Sequence, residues 1–278
     1  MIIECVVNIS EGRDEALLAE LKVAAGSTLL DTHCDRDFHR SVFTMAGESE
    51  AVTNAARALA ECAVARLELT GHRGAHPRIG VLDVVPFVPY RPGELPPSDL
   101  EAVVAIRNDF ARWLGTELGV PAFCYGPIER APERTLPQVR RHAFDSLPPD
   151  FGPNWPHRTA GASAIGARRV LIAYNIWVTS FAVAHLVAPA LRSPQVRALA
   201  IKVGERFAVS CNLVDPATIG PAQVFDQVAE LARAHGGAVE GAELVGLIPE
   251  AILERTSAQR WSELGLSNTT TIEARLRA

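Results

Sequence analysis

Apolar positions along this chain alternate between a two-residue period and a helical one, and the switches mark out its elements. Residues 2–7 read as a strand that ends in a polar turn at Asn8, Ser10, Glu11 and Gly12. Leu17, Leu18 and Leu21 then fall at helical spacing behind Asp14, which predicts a helix over 14–25. Strands are expected at 28–32 and 41–46, with the polar run HCDRDFHR at 33–40 as the loop between them. Val52, Ala55, Ala56, Leu59, Ala63 and Leu67 give 48–69 the pattern of a long amphipathic helix able to cover a sheet face.

The next stretch, TGHRGAHPRIGVLDVVPFVP at 70–89, is the one the rest is arranged to serve. It opens with His72 and His76 among Gly71, Gly74, Arg73 and Arg78. It then becomes an apolar, β-branched run from Gly80 to Val88, interrupted by Asp83, as expected of a buried strand. A loop of titratable groups is thus delivered to one end of a rigid strand, where chemistry usually sits.

Pro92, Pro96 and Pro97 predict a loop over 91–98, before a helix at 100–118 and a short strand at 121–125. Residues 126–158 carry seven prolines and no clear period, and 150–168 reads DFGPNWPHRTAGASAIGAR. So long an irregular segment in a compact protein is usually a binding loop. A strand is expected at 169–178, helices at 182–191 and 193–199, strands within 200–213, and a helix at 221–235 closed by Gly236 and Gly237. An apolar run at 241–248 precedes a helix from Pro249 to about Arg255, and the tail is polar. The alternation predicts an α/β (α+β) fold with a boundary near residue 168, giving subdomains 1–168 and 169–278.

With 278 residues, 48% of them hydrophobic, the chain can bury a substantial core. Its net charge of −5 argues against general nucleic-acid binding, which needs a basic face. Yet Arg36, His39, Arg40, Arg57, Arg66, His72, Arg73, His76 and Arg78 form a cationic group in an acidic chain, suited to a small anionic ligand if they converge. The five cysteines are odd in number, scattered and without a CxxC pair, which argues against a disulfide framework or a zinc site. No signal peptide and no membrane-spanning run are expected, placing the chain in the cytoplasm.

Among single residues His76 stands out, because Pro77 restricts its backbone and Arg78 lies two positions on. A nearby guanidinium holds an imidazole low enough to act as a base at neutral pH, and an anionic substrate raises it again. His72 and His76 could share a metal only on a helix, which Gly71, Gly74 and Pro77 oppose, so no metal is expected. Cys34 reads as an ordinary loop thiol. Residues 152–161 lack GxGxxG spacing, and Trp155 there is suited either to stacking on a planar heterocycle or to plugging the core.

Taken together, ECVVNISEGRD at 4–14, HRSVFTMAG at 39–47, HRGAHPRIGVLDVVPFVP at 72–89, DFGP at 150–153, GASAIGAR at 161–168, YNI at 174–176, VSCNLVD at 209–215 and LVGLIP at 244–249 resemble the formiminotransferase family. The resemblance implies two α/β subdomains whose sheets face one another across a substrate tunnel, in a homodimer. It implies transfer of a formimino group from N-formiminoglutamate to N5 of tetrahydrofolate, a co-substrate, with no second cyclodeaminase enzyme in this chain. The family's catalytic histidine falls on His76. Asn8, Arg40, His72, Arg78 and Asp83 are then expected to bind substrate, with Arg40 and Arg78 as carboxylate clamps. The family's folate loop maps onto Gly152, Pro153, Asn154, Trp155, Pro156, His157, Arg158, Thr159, Ala160 and Gly161. Two departures stand out: His33 occupies the place of an aspartate found in animal members, leaving Asp31, Asp35 or Asp37 to supply a carboxylate, and the loop interior NWPHRTA differs. The alternatives are formyl transfer involving 5-formyltetrahydrofolate, or a folate-binding protein whose catalysis has decayed.

Overall fold

Strand alternation in the first half builds one mixed sheet. In the computed structural model, which describes every residue except 75, 96–99 and 130, β1 (Ile2–Ile9) pairs antiparallel with both β3 (Arg40–Glu48) and β4 (Leu82–Pro89). Adding β2 (Leu29–Asp35), β5 (Ala122–Ile128), β6 (Ala131–Arg134) and β7 (Ser163–Ala167) gives a seven-stranded sheet in the order β2-β3-β1-β4-β7-β5-β6. β7 runs parallel to both β4 and β5.

The core-facing residues of β1, Ile3, Cys5, Val7 and Ile9, are fully buried. They pack with α1 (Glu15–Ala25), α2 (Ser49–Arg66) and α3 (Leu100–Glu117), which bring Leu21, Leu59 and Phe110 to the same cluster. Alternate residues of β4 point the other way. There Val84 joins Phe123, Tyr125 and Ala164 beneath Val139 of α4 (Leu136–His142). Asp14 caps α1 through the N–H groups of Ala16 and Leu17, each 3.0 Å away.

The second half forms its own antiparallel sheet, ordered β11-β8-β10-β9, from β8 (Ile172–Val178), β9 (Val196–Val203), β10 (Arg206–Leu213) and β11 (Val239–Val245). α5 (Phe181–Leu191) and α6 (Pro221–Ala234) bury Val187, Val224 and Val228 against Tyr174, Ile176 and Val209. α7 (Glu250–Leu253) and α8 (Ile272–Arg277) complete the chain. Contacts divide the chain into two compact units: one takes in Met1–Tyr90 and the described residues of Pro97–Arg168, the other Arg91–Pro96, as far as described, with Arg169–Ala278.

Five sequence-based expectations give way here. His33, Cys34 and Asp35 are strand rather than loop, paired with Val42, Ser41 and Arg40; β2 is an edge strand, where polar side chains are tolerated. Residues 193–199 are not helical. Ser193 Oγ accepts from the N–H of Gln195 and of Val196 to make a turn, and β9 then alternates buried Val196 and Ala198 with exposed Arg197 and Leu199. The proline-rich segment contains β6 and α4, the latter begun by a capping box between Thr135 and Gln138. Residues 161–168 hold β7, a central strand disguised by its small residues. The polar tail ends in α8, whose Ile272 is buried. The loop predicted at 91–98 lies partly outside the described residues.

A backbone joint ties two distant loops together. Val81 N–H donates to Ala160 O, Ala162 N–H to Ile79 O, and Leu69 N–H to Thr159 O, at 2.8–2.9 Å. Gly161 lies in this joint at φ +72°, and a Cβ there would collide with Ile79 O. Gly161→Ala is therefore expected to cost about 1–3 kcal/mol in backbone strain alone, read as a lowered urea midpoint; an unchanged midpoint would show that the joint yields freely.

Candidate active site

The site gathers where β1, β3 and the loop before β4 meet. Beyond β1, Glu11 folds back so that its carboxylate Oε1 accepts the N–H groups of Gly12, Arg13 and Asp14. Burial alone would raise the Glu11 pKa, but these donors outweigh it and hold the carboxyl below its usual range. The same oxygen lies 3.1 Å from His39 Nε2. On the other side, Asp35 Oδ1 accepts from the N–H of Asp37 and of Phe38, closing a turn that ends with His39 at φ 48°. That turn stacks the His39 ring on His72, with centroids 4.0 Å apart.

Arg78 joins the two loops. Its Nη2 donates to Phe38 O at 2.8 Å and to His76 O at 2.9 Å, and its Nη1 to His39 O at 3.0 Å. Nη1 also lies 2.8 Å from His72 Nε2, which stands 3.1 Å from Ser10 O. Arginine only donates, so the shorter contact fixes His72 Nε2 as an acceptor, and the approach to Ser10 O is then not a hydrogen bond. Burial, reinforced by Arg78, holds His72 down to about 4.

Asp83 is 1% exposed. Its Oδ1 accepts from Ile79 N–H at 2.8 Å and its Oδ2 from Arg140 Nη2 at 2.6 Å, while Arg140 also donates to Pro77 O. Burial pushes the Asp83 carboxyl up, and Arg140 and the Ile79 N–H pull against it. Asp83 and Arg78, expected from the sequence to bind substrate, are thus both engaged in fixing the backbone on either side of His76.

Arg40 is placed differently. Its Nη1 donates to Asn8 Oδ1 at 2.9 Å and lies 3.0 Å from His76 Nε2. Its Nε reaches no partner among the described residues, nor does His76 Nδ1. Because a guanidinium cannot accept, His76 Nε2 holds the lone pair and Nδ1 the proton. Burial first, then Arg40 and Arg140, hold the His76 pKa to about 2. Arg40 itself is brought down by burial to about 10, with Asp83 and Asp35 opposing.

The structure therefore brings Asn8, Arg40, His72, His76, Arg78 and Asp83 into one neighbourhood. His39 already stood in the cationic group read from the sequence, whereas Glu11 and Arg140 were missed because their roles depend on partners 28 and 57 residues away. Of residues 152–161, only the C-terminal end reaches the loop joint. His157 turns that end back, its Nδ1 accepting from the N–H of Ala160 at 3.0 Å. Trp155 is 68% exposed, so it does not plug the core. Cys34 is also exposed. Among the described residues no group of three or more His, Cys, Asp or Glu could hold a metal ion, and no helix is long and apolar enough to cross a membrane.

Arg40, Arg78 and Arg140 thus surround a neutral imidazole and the backbone that carries it. Residues 2–168 match the family model of the formiminotransferase domain, N-terminal subdomain, and the chain belongs to the formiminotransferase family. It is 34% identical to glutamate formimidoyltransferase of Streptococcus pyogenes serotype M1, over 91% of this chain and 90% of that protein. The glutamate formimidoyltransferase of Thermoplasma acidophilum is 32% identical, with 91% and 89% covered. Formimidoyltransferase-cyclodeaminase of Gallus gallus is 35% identical over 90% of this chain, which spans 50% of that longer protein.

The two depressed histidines make a pH prediction. Both are neutral in the folded protein but take up protons on unfolding below the ordinary value of 6.5. The unfolded state then binds more protons, so stability falls as pH drops below 6.5. His76→Gln is expected to flatten this dependence between pH 6.5 and 4 by up to about 1.4 kcal/mol per pH unit, measured by urea unfolding across the range. An equally steep slope in the variant would mean that the ring is charged in the folded state.

Proposed function

We propose that this protein transfers the formimino group of N-formiminoglutamate to N5 of tetrahydrofolate, releasing glutamate. The observation that carries the reading is the neutral His76 ring, whose lone-pair nitrogen sits beside the Arg40 guanidinium. Both substrates bear carboxylates, and Arg40 and Asn8 are the groups on this side of the ring suited to receive one. Family membership and the names of its relatives support the same chemistry.

The proton bookkeeping requires one group that both takes and gives. N5 forms a bond to the amidine carbon as the C=N electron pair moves onto the imino nitrogen, and His76 accepts the proton that N5 loses. The tetrahedral adduct then collapses: C=N reforms, the bond to the glutamate nitrogen breaks, and His76 returns the proton to that nitrogen. Without this proton the amine would have to leave as an anion. Tetrahydrofolate is consumed as co-substrate, and no step calls on a metal.

Residues 152–161 are assigned to the folate, with exposed Trp155 as a stacking platform for its ring system. The reading carries with it a homodimer working in the cytoplasm on small anionic ligands, without nucleic acid or membrane.

Given formiminoglutamate and tetrahydrofolate, the purified protein is expected to yield glutamate. His76→Ala should retain the fold and lose roughly 100-fold or more in kcat. An unchanged rate removes His76 from the mechanism, and faster turnover of 5-formyltetrahydrofolate as donor would replace the formimino reading. Trp155→Ala should raise KM for tetrahydrofolate about 2–10-fold with the donor KM unaltered; equal effects on both would remove the stacking role.

A further inference from the structure

A general base needs its lone pair available, and in this structure the lone pair of His76 is occupied. Nε2 faces Arg40 Nη1 at 3.0 Å, while the opposite nitrogen, Nδ1, is buried without a partner among the described residues. The ring therefore has one basic nitrogen, and a cation that cannot give up its proton covers it. Resting on the reading above, we propose that Arg40 is a latch on His76: the donor's carboxylate must draw the guanidinium away before the imidazole can accept a proton, so carboxylate recognition is a condition of turnover as well as of binding.

Three features of the geometry carry this. First, Arg40 is underused: Nη1 serves both Asn8 and His76, and its Nε has no partner among the described residues. A carboxylate offers two charged oxygens to such a fork and is a stronger acceptor than a neutral ring nitrogen. Second, His76 and Arg40 are hemmed in by cations from separate elements. Arg140 of α4 and Arg78 of the same loop act on both, while Asp83 of β4 and Asp35 of β2 are the anions acting on Arg40. Of these anions, Asp83 is already committed to Arg140 and Ile79 N–H. An incoming carboxylate therefore meets a net positive field. Third, the other cations are fixed. Arg78 is tied to the carbonyls of Phe38, His39 and His76, and Arg140 to Asp83 and Pro77, so Arg40 is the one of these three bonded to the imidazole itself.

The latch separates two properties that an ordinary carboxylate clamp would join. A clamp lost or bypassed raises KM. A latch left closed lowers kcat, because substrate can sit in place beside a base that cannot act. A formimino donor without carboxylates, such as formamidine, would be turned over poorly even at saturation, and a dicarboxylate supplied separately would restore it.

The experiment uses the intact protein. With ring-labelled histidine and His76 assigned by comparison with His76→Gln, NMR titration without ligand should find His76 uncharged down to the acid limit of folding. Adding saturating glutarate, which carries both carboxylates but no transferable group, should bring its protonation into the range of pH 5–8. Arg40→Met should raise its protonation range with no ligand, and the equally uncharged Arg40→Gln serves if the methionine variant does not fold. In the native protein kcat for formamidine should lie at least 100-fold below that for formiminoglutamate and rise at least 10-fold on adding glutarate. The latch is overturned if His76 titrates alike in native protein and in whichever Arg40 variant folds, or if formamidine alone reaches the full kcat. It is overturned equally if glutarate neither moves the His76 titration nor rescues formamidine. These results leave the transfer reaction standing, whereas failure of the native protein to release glutamate from formiminoglutamate and tetrahydrofolate removes the reaction assignment itself.

Discussion

One guanidinium holds the catalytic neighbourhood in shape. Arg78 places its donors on the carbonyls of Phe38, His39 and His76, three backbone groups from two loops, His76 standing 37 positions after His39 in sequence. Carbonyls in loops have no ladder to satisfy them, and a charged donor with a rigid fork answers several at once. The position of His76 thus depends on Arg78 from one side. From the other, Arg140 grips Pro77 O and Asp83. The imidazole is suspended between two cations that hold its backbone, and its ring faces a third, Arg40.

This arrangement explains how an acidic chain can hold a cationic centre. The net charge of −5 describes the surface as a whole, while Arg40, Arg78 and Arg140 converge on a few ångströms of backbone. Two of the nearby carboxylates are absorbed locally: Glu11 by three backbone N–H groups and Asp83 by Arg140 and Ile79. Fixed dipoles and paired charges leave a positive residue for a ligand to neutralise, without solvent having to reorganise when it arrives.

The parts of this picture that depend on local sequence were legible in advance. Gly80 to Val88 announces a buried strand through its β-branched run, and the Gly- and Pro-bounded histidines before it announce a loop. What depends on distant partners was not. Nothing near Asp83 reveals that Arg140 will meet it. Nor does the sequence show that Arg78 donates to backbone carbonyls, which every residue has and no pattern reports. β9 read as helix because Ser193 to Leu199 is too short to separate the two periods. By contrast α4 was missed although its signal was present: Thr135 and Gln138 stand at capping-box spacing, overshadowed by the surrounding prolines.

The joint at Gly161 divides the long loop into an anchored end and an open one. Ala160 and Ala162 are locked by main-chain hydrogen bonds to Val81 and Ile79, whereas Gly152, Asn154, Trp155, Pro156 and Arg158 are exposed. Replacements upstream of the joint can therefore accumulate without disturbing the imidazole, because no side chain there supports it. Substitutions at Asn154, Trp155, Pro156 or Arg158 therefore change an exposed surface while the His76 backbone stays put.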